Sequence, residues 1–497
     1  MHVAQTLTAL RLDASSRVPL FRQLYEAIKQ AILAGQIGPG IQLPPTRELA
    51  VMLRISRQTV LNAYTQLMAE GYLAGTVGKG TFVSEHLPIA APKPTASPHQ
   101  QQPPRPLRPL SQRGQRFLDT PTKLNIHADR PTAFRIGMPG IDAFPFDTWA
   151  RLEARRWRRP SYQLGYGDPA GYGPLREMLA AYLRASRGVH CAPEQVIVTS
   201  GSQQALFLIA NLLLSPDDAA WVELPGYPGT CAALHAVGAR IRPVPVDDEG
   251  LMIAEGRRLH PDAKLAYVTP SHQYPLGVTM SLKRRLELLA WAAERRMWIV
   301  EDEYDSEYRY TGPPIASLQS LDQAGCVLYV GTLSKVLFPG LRLGYLVVPP
   351  ALAEAFARGK AAIDRHTAIV PQIVLADFIA EGHFMRHIKR MRDIYAERRA
   401  ALLEAFDACL ADELTLGPAD AGFHIATALK RGLDDQAVAR AALDKGVEVR
   451  ALTPFYDAME TAEKRTPPSG LLLGFAAATP AEMRRAAPIL QDLLRTF

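Results

Sequence analysis

The residues that could do chemistry gather in a short stretch, Gly331-Thr332-Leu333-Ser334-Lys335, followed by Val336 to Gly340 and then Leu341-Arg342-Leu343-Gly344. An apolar, β-rich run, Val327 to Val330, feeds into it. A lysine just past a buried strand is partly desolvated, and desolvation lowers an amine's pKa. Such an amine is a nucleophile able to form a Schiff base with a carbonyl. Earlier, Trp298-Ile299-Val300-Glu301-Asp302-Glu303-Tyr304 puts a carboxylate at a strand end and a phenol two residues on. A carboxylate there can keep a protonated pyridine nitrogen charged, and Tyr304 can reach a phenolic oxygen on the same ring. Ser200-Gly201-Ser202-Gln203 follows another apolar run and opens a helix, whose free N–H groups suit a phosphate. Ser334 and Arg342 can complete the phosphate cup. Tyr227, in Pro225-Gly226-Tyr227-Pro228-Gly229, offers a ring to stack on a flat ligand. An aldehyde, a ring nitrogen, a ring oxygen and a phosphate are together the features of pyridoxal 5'-phosphate. Lys335 alone would read as an ordinary surface lysine; in company with Asp302, Tyr304 and Arg342 it does not.

These residues need a framework, and the pattern around them supplies one. Apolar runs at Val196–Thr199, Ala219–Val222, Leu265–Val268, Trp298–Val300 and Val327–Val330 alternate with helical periodicity. That alternation predicts an α/β body with a mostly parallel sheet, ligands binding at the carboxyl ends of the strands. From Ala351 onward helices dominate, with a long connecting helix expected over 371–406 and a smaller α+β segment after it. Walker, HExxH, GxSxG and GxGxxG patterns are absent.

At 497 residues the chain exceeds what a single core usually holds. Its net charge of +7 lies entirely in the first quarter: residues 1–84 carry 8 Lys and Arg against 4 Asp and Glu, and 85–125 carry 6 against 2. A basic segment on a near-neutral body points to a polyanion partner for that segment. The cysteines at 191, 231, 326 and 409 show neither disulfide nor zinc spacing, which reads as a reduced, intracellular protein with no metal site. Neither a signal peptide nor a membrane-length apolar run is present, so a cytoplasmic protein is expected, on the nucleoid when bound to DNA.

Within residues 1–84, helical spacing covers roughly Val18–Ala34. A second short helix is expected from Thr46 as its N-cap. A third runs from Arg57 to about Glu70, capped by Ser56, with Val60, Leu61, Tyr64, Leu67 and Met68 facing inward. Two β-like runs, Tyr72–Ala74 and Thr81–Val83, flank a glycine-rich tip, Gly75 to Gly80. This is the outline of a winged helix-turn-helix domain that presents its third helix to the major groove of double-stranded DNA. Arg57, Gln58 and Thr59 stand at the reading end, with Arg47 on the preceding helix and Lys79 at the wing tip. Residues 85–125 hold nine prolines and no helical or strand period, and are expected to be an extended, mobile linker.

The head resembles the DNA-binding domain of GntR-type regulators through Leu43–Ala50, Ser56–Val60 and Gly78–Val83. The body, residues 126–497, resembles a fold-type-I aminotransferase, the pyridoxal-phosphate class that includes aspartate aminotransferase. Together they resemble the MocR/GabR group of bacterial regulators, nearly end to end. The resemblance implies Lys335 as the Schiff-base lysine, Asp302 on the pyridine nitrogen and Tyr304 on the ring oxygen. It also implies Tyr227 stacked, and Gly201, Ser202, Gln203, Ser334 and Arg342 around the phosphate. Tyr166 would reach the partner subunit's phosphate in a head-to-tail homodimer. Two departures stand out. Tyr274-Pro275-Leu276-Gly277 replaces the usual asparagine before Pro-Thr-Gly, passing the ring-oxygen contact to His272, Gln273 or Tyr304. The late strand that commonly supplies an arginine for the substrate carboxylate reads Leu471-Leu472-Leu473; Arg450 is the nearby arginine in sequence. The function implied is a transcriptional regulator that senses an amine, an amino acid or the cofactor itself. The alternative, a working aminotransferase, is disfavoured by the leucine run.

Overall fold

The computed structural model describes residues 3, 7, 12–13, 15–16, 18–76, 80–87, 109–120, 132–158, 164–312, 315–457 and 467–497. The chain divides into two compact units, Met1–Arg108 and Pro109–Phe497.

In the first unit, Leu24, Ile28, Ala31 and Ile32 recur at helical spacing and bury one face of the helix Leu20–Leu33. The helix Thr46–Leu53 follows, then Arg57–Ala69, whose start is closed by Ser56 Oγ accepting from Thr59 N–H at 3.1 Å. Strands β1 (Gln42–Leu43), β2 (Leu73–Thr76) and β3 (Gly80–Val83) form an antiparallel sheet in the order β1-β3-β2. The Lys29 ammonium and the Tyr25 hydroxyl both bond Glu70, at 2.8 and 2.5 Å, tying the first helix to the end of the third.

Two expectations change here, and one strand is added. Thr46 is the first helical residue rather than the cap: the preceding residue is Pro45, and the Thr46 hydroxyl instead accepts from Arg57 Nε at 3.4 Å. Leu61 is exposed, because a period of 3.6 carries the inner stripe through Val60, Ala63, Tyr64 and Leu67. β1 is too short to show alternation, and its pairing with β3 is visible only in three dimensions.

The second unit is built on an eight-stranded sheet. Its strands are β4 (Val196–Thr199), β5 (Ala219–Leu224), β6 (Arg240–Asp247), β7 (Gly250–Leu251), β8 (Leu265–Val268), β9 (Trp298–Glu303), β10 (Val327–Thr332) and β11 (Gly344–Val347). The order is β4-β11-β10-β9-β8-β5-β6-β7. The central pairings β10/β9, β9/β8, β8/β5 and β5/β6 are parallel; β11 and β7 run antiparallel to their neighbours. Helices cover both faces, which is why β4, β8 and β10 read as unbroken apolar runs.

A smaller sheet, β12 (Leu414–Leu416), β13 (His424–Leu429), β14 (Arg450–Ala451) and β15 (Gly470–Gly474), is antiparallel throughout in the order β12-β13-β15-β14. The expected long connecting helix is two helices, Ile369–Ala380 and His383–Ala405, broken at Gly382, whose φ of +74° a glycine adopts without strain. The expected linker also carries a helix. Gln112–Asp119 is capped by Ser111, and Phe117 meets Phe207 edge-on at 5.8 Å. The Thr120 hydroxyl then pairs with His235 Nδ1 at 2.9 Å, so this end of the stretch belongs to the body. Among the described residues no helix is long and apolar enough to cross a membrane, no His/Cys/Asp/Glu group could hold a metal ion, and the four cysteines are free.

Candidate functional site

The register of the large sheet brings the chemistry together. Val330 of β10 pairs with Asp302 of β9, so Lys335, three residues past the end of β10, emerges beside the end of β9. Gly344 of β11 pairs both with Thr332 of β10 and with Thr199 of β4. The turns after β4 and β10 and the turn before β11 therefore converge, and with them Ser200–Gln203, Ser334 and Arg342.

Asp302 is 4% exposed. Its Oδ2 accepts from the Tyr267 hydroxyl at 2.8 Å, while its Oδ1 is buried with no hydrogen-bond partner among the described residues. Burial pushes the carboxyl up to about 7, with Tyr267 and Lys335 pulling the other way. A buried carboxylate oxygen without a donor is costly. A protonated ring nitrogen is a donor that would satisfy it. Behind it Glu223 is also buried and pushed up to about 7, accepting from the Thr269 amide and hydroxyl at 3.1 and 2.6 Å. Tyr267 and Glu223 are site residues that sequence reasoning missed: each sits inside an apolar run and looks like one more core position.

Lys335 Nζ donates to the carbonyl of Gly137 at 2.5 Å. Burial lowers its pKa, opposed by the charges of Asp305 and Asp302. The Tyr304 hydroxyl lies 2.8 Å from His272 Nδ1, which is also 3.0 Å from Asp305 Oδ2. With the Asp305 oxygen as acceptor, the ring proton belongs on Nδ1, and the phenolic proton of Tyr304 is left to be directed elsewhere. His272 is held close by Gly422, at φ +78°; a Cβ there would lie 2.1 Å from the imidazole Cε1. His424, whose pKa burial lowers to about 4, is neutral and donates from Nε2 to Pro275 O at 3.0 Å.

The proposed phosphate cup is organised around Gly201, at φ +102°, before the helix Ser202–Leu213. Arg342 donates to the carbonyl of Ser200 at 2.9 Å. A Cβ on Gly201 would meet that guanidinium at 3.4 Å, so the glycine leaves the close approach open. Gln203 donates to Gly229 O at 2.7 Å and accepts from the Tyr227 hydroxyl at 3.3 Å, which sets the Tyr227 ring beside the same helix start. Ser334 is half-buried in the turn after β10. Tyr166, by contrast, is 94% exposed, outside this cluster.

The head presents a separate polar face. Arg47, Arg57 and Gln58 are exposed, and Thr59 is half-buried with its hydroxyl 2.8 Å from Ser56 Oγ. Arg57 spans to Thr46, so the starts of the second and third helices form one surface. Lys79 lies outside the described residues.

Comparison with known proteins agrees with this division. Residues 143–490 match the family of class I and II aminotransferases, and residues 20–83 match the bacterial regulatory proteins of the gntR family. A probable rhizopine catabolism regulatory protein, MocR of Rhizobium meliloti, is 42% identical over 97% of this chain and 95% of its own. The pyridoxine biosynthesis transcriptional regulator PdxR of Corynebacterium glutamicum is 30% identical over 87% of this chain and 88% of its own. Among solved structures, the kynurenine aminotransferase of Pyrococcus horikoshii superposes with a TM-score of 0.67 at 29% identity, covering 73% of this chain and 90% of that one. The α-aminoadipate aminotransferase LysN of Thermus thermophilus gives the same TM-score at 27% identity over 78% and 95%. A class I and II aminotransferase fold implies dependence on pyridoxal phosphate, and a gntR head binds DNA. The chain belongs to the MocR-type transcriptional regulators, in which a gntR-family DNA-binding head is joined to an aminotransferase-like body.

Proposed function

We propose that the body holds pyridoxal 5'-phosphate at Lys335 and uses it to sense a small amine, an amino acid or the cofactor itself, and that this controls DNA binding by the head. The observation that carries the reading is Asp302 Oδ1, buried without a hydrogen-bond partner among the described residues and near enough to Lys335 for each group's charge to act on the other. When bound, the cofactor supplies an electrophilic aldehyde on an electron-accepting ring. Asp302, steadied by Tyr267, holds a proton on the ring nitrogen. Tyr304, backed by His272 and Asp305, donates toward the ring oxygen. Gly201, Ser202, Gln203, Ser334 and Arg342 receive the phosphate, with Tyr227 against the ring. Tyr166 reaches the partner's site in a head-to-tail dimer, which its exposure on a single chain suits.

Lys335 is also a mechanical link. Its amine is tied to Gly137, and that segment is pinned to the smaller sheet by Gly474 N–H donating to Phe134 O at 2.8 Å. Gly140 N–H donates to the Tyr395 hydroxyl at 2.8 Å, which reaches the helix His383–Ala405. A ligand that frees or captures the lysine therefore pulls on a strap between the two sheets. The second reading, a working aminotransferase, has the enzymes among the solved neighbours in its favour and the absence of an arginine at Leu471–Leu473 against it.

The test uses a duplex selected by the wild-type chain from a random pool. Adding the cofactor or an amine is expected to change its affinity in wild type and not in Lys335→Ala. A variant that responds like wild type would overturn the sensing role, and steady transamination without any effect on DNA binding would favour the enzyme.

A further inference from the structure

Away from the lysine, a cavity of about 300 Å³ lies where the elements of the large sheet meet those of the smaller one. On the large-sheet side stand Tyr182 and Arg187, at the end of the helix Gly173–Arg187, and Ser306 and Glu307, in the turn after β9. On the other side stand Ile388 and Arg392 of the helix His383–Ala405, and Ala421 before β13. Arg309 sits at the seam, its backbone bridged antiparallel to Ala421. His272 is also part of the wall.

The charge of this lining is one-sided: it includes three arginines and one acid. Arg187 is committed, bonding Glu303 at 2.8 Å and the Ser306 carbonyl at 3.1 Å. Arg392 donates to the Glu307 carbonyl at 3.3 and 3.0 Å, and Arg309 reaches the Thr279 hydroxyl at 3.5 Å. Among the described residues neither has a carboxylate within ion-pair distance. Glu307 accepts from the Tyr182 hydroxyl at 3.1 Å, and burial raises its carboxyl against the pull of Arg187, which lessens the negative charge it offers. Arg309 Nε, Ser306 Oγ and His272 Nε2 are buried with no hydrogen-bond partner among the described residues, and His272 is only 3% exposed. Buried polar atoms are ordinarily paired, so such a group marks a place for a water, an ion or a ligand. Water can pair the neutral atoms, but it leaves the charge of Arg309 unmet. An anion meets both needs, and Tyr182 and Ile388 give it an apolar surface to lie on.

We propose that this cavity is a second ligand site, separate from the lysine pocket, and that it takes a small organic carboxylate. The anionic end meets Arg309, Arg392 and Ser306, and the apolar body lies along Tyr182 and Ile388. Such a ligand ties the helix Gly173–Arg187 to the helix His383–Ala405, across the junction of the two sheets. His272 links it to the candidate cofactor pocket, because its Nδ1 lies 2.8 Å from the Tyr304 hydroxyl and 3.0 Å from Asp305. That link, though not the site itself, rests on the pyridoxal-phosphate reading of the body.

The test is calorimetric titration of the full-length protein, first without cofactor and then with pyridoxal phosphate bound. Benzoate and hexanoate are the probes; benzamide, hexanamide and inorganic phosphate are the controls. At least one carboxylate is expected to bind roughly tenfold or more tightly than its amide, the worth of a charged hydrogen bond. Arg309→Gln and Arg392→Gln should each remove most of that advantage, and Arg309→Lys should keep part of it. Arg392 is exposed, so its replacement does not threaten the fold. Lys335→Ala and Arg342→Gln, which alter only the lysine pocket, should leave the advantage intact. Acid and amide binding alike, or an advantage lost in the lysine-pocket variants and kept in the other two, overturns the site. Phosphate binding as tightly as either carboxylate overturns the ligand class. With the carboxylate saturating, the midpoint of a pyridoxal-phosphate absorption titration should move roughly fivefold or more. An unmoved midpoint overturns the link alone. A protein that binds the carboxylate yet stays colourless with the cofactor overturns the pyridoxal-phosphate reading and leaves the site standing.

Discussion

The head and the body use polar groups in opposite ways. On the head, Arg47, Arg57 and Gln58 are exposed, and their contacts are with one another's neighbours: Arg57 with Thr46, Gln58 with Asn62. In the body, Asp302, Glu223 and His272 are buried, and desolvation lifts the two acids to about 7. The first arrangement suits a long, hydrated polyanion met at a surface, where no single contact dominates. The second suits a small ligand taken out of water, where one unpaired atom decides what fits. A residue's burial thus indicates which kind of partner it serves, and the two regions should fail differently when altered.

The largest effect is expected at Asp302. Asp302→Asn removes the charge proposed to hold the ring nitrogen and should weaken cofactor binding roughly 10–150-fold, read by absorption titration. The same variant tests the electrostatics. The carboxyl titrates at about 7 in the folded chain against an ordinary 3.8, so its stabilising contribution is complete below about 3.8 and is lost as pH rises through about 7. The thermal midpoint of the cofactor-free protein should therefore fall as pH rises from about 4 to about 7 and level off above that, and Asp302→Asn should flatten the fall. Part of the residual slope belongs to Glu223 and Glu301, both also lifted to about 7, and part to Glu307, which burial also raises. DNA affinity of the cofactor-free protein should be untouched.

A smaller and differently shaped loss is expected on the head. Arg57→Ala should weaken binding to the selected duplex by roughly 5–150-fold if the guanidinium reads a base edge. If it meets only phosphate, the loss should be similar across sequences, with a shallower salt dependence. Cofactor titration of Arg57→Ala should match wild type; a shift there would break the separation between the two regions.

How much of this was legible in the sequence follows the same physical divide. The candidates Lys335, Asp302, Gly201 and Arg342 could be proposed from the sequence because each lies at or beside the end of an apolar strand, and strand ends are where an α/β sheet puts its ligands. The three-helix outline of the head was legible because Ser56 caps locally and glycines punctuate the wing. What stayed hidden depends on tertiary pairing. Gly137 meets Lys335 across 198 residues of chain. Tyr267 reads as core until its hydroxyl is seen on Asp302. β14 is two residues long, too short for any period, so its placing of Arg450 opposite Leu472 has no local signal. The helix Gln112–Asp119 was masked by the prolines around it, and its Phe117 gains a reason only from Phe207.

The most direct measurement of the central claim is chemical trapping. The purified full-length protein is incubated with pyridoxal 5'-phosphate, reduced with borohydride, digested and mapped by mass spectrometry. The account predicts one dominant phosphopyridoxyl modification, on Lys335, abolished in Lys335→Ala and diminished in Asp302→Asn. A label spread over surface lysines, or none at all, would contradict it.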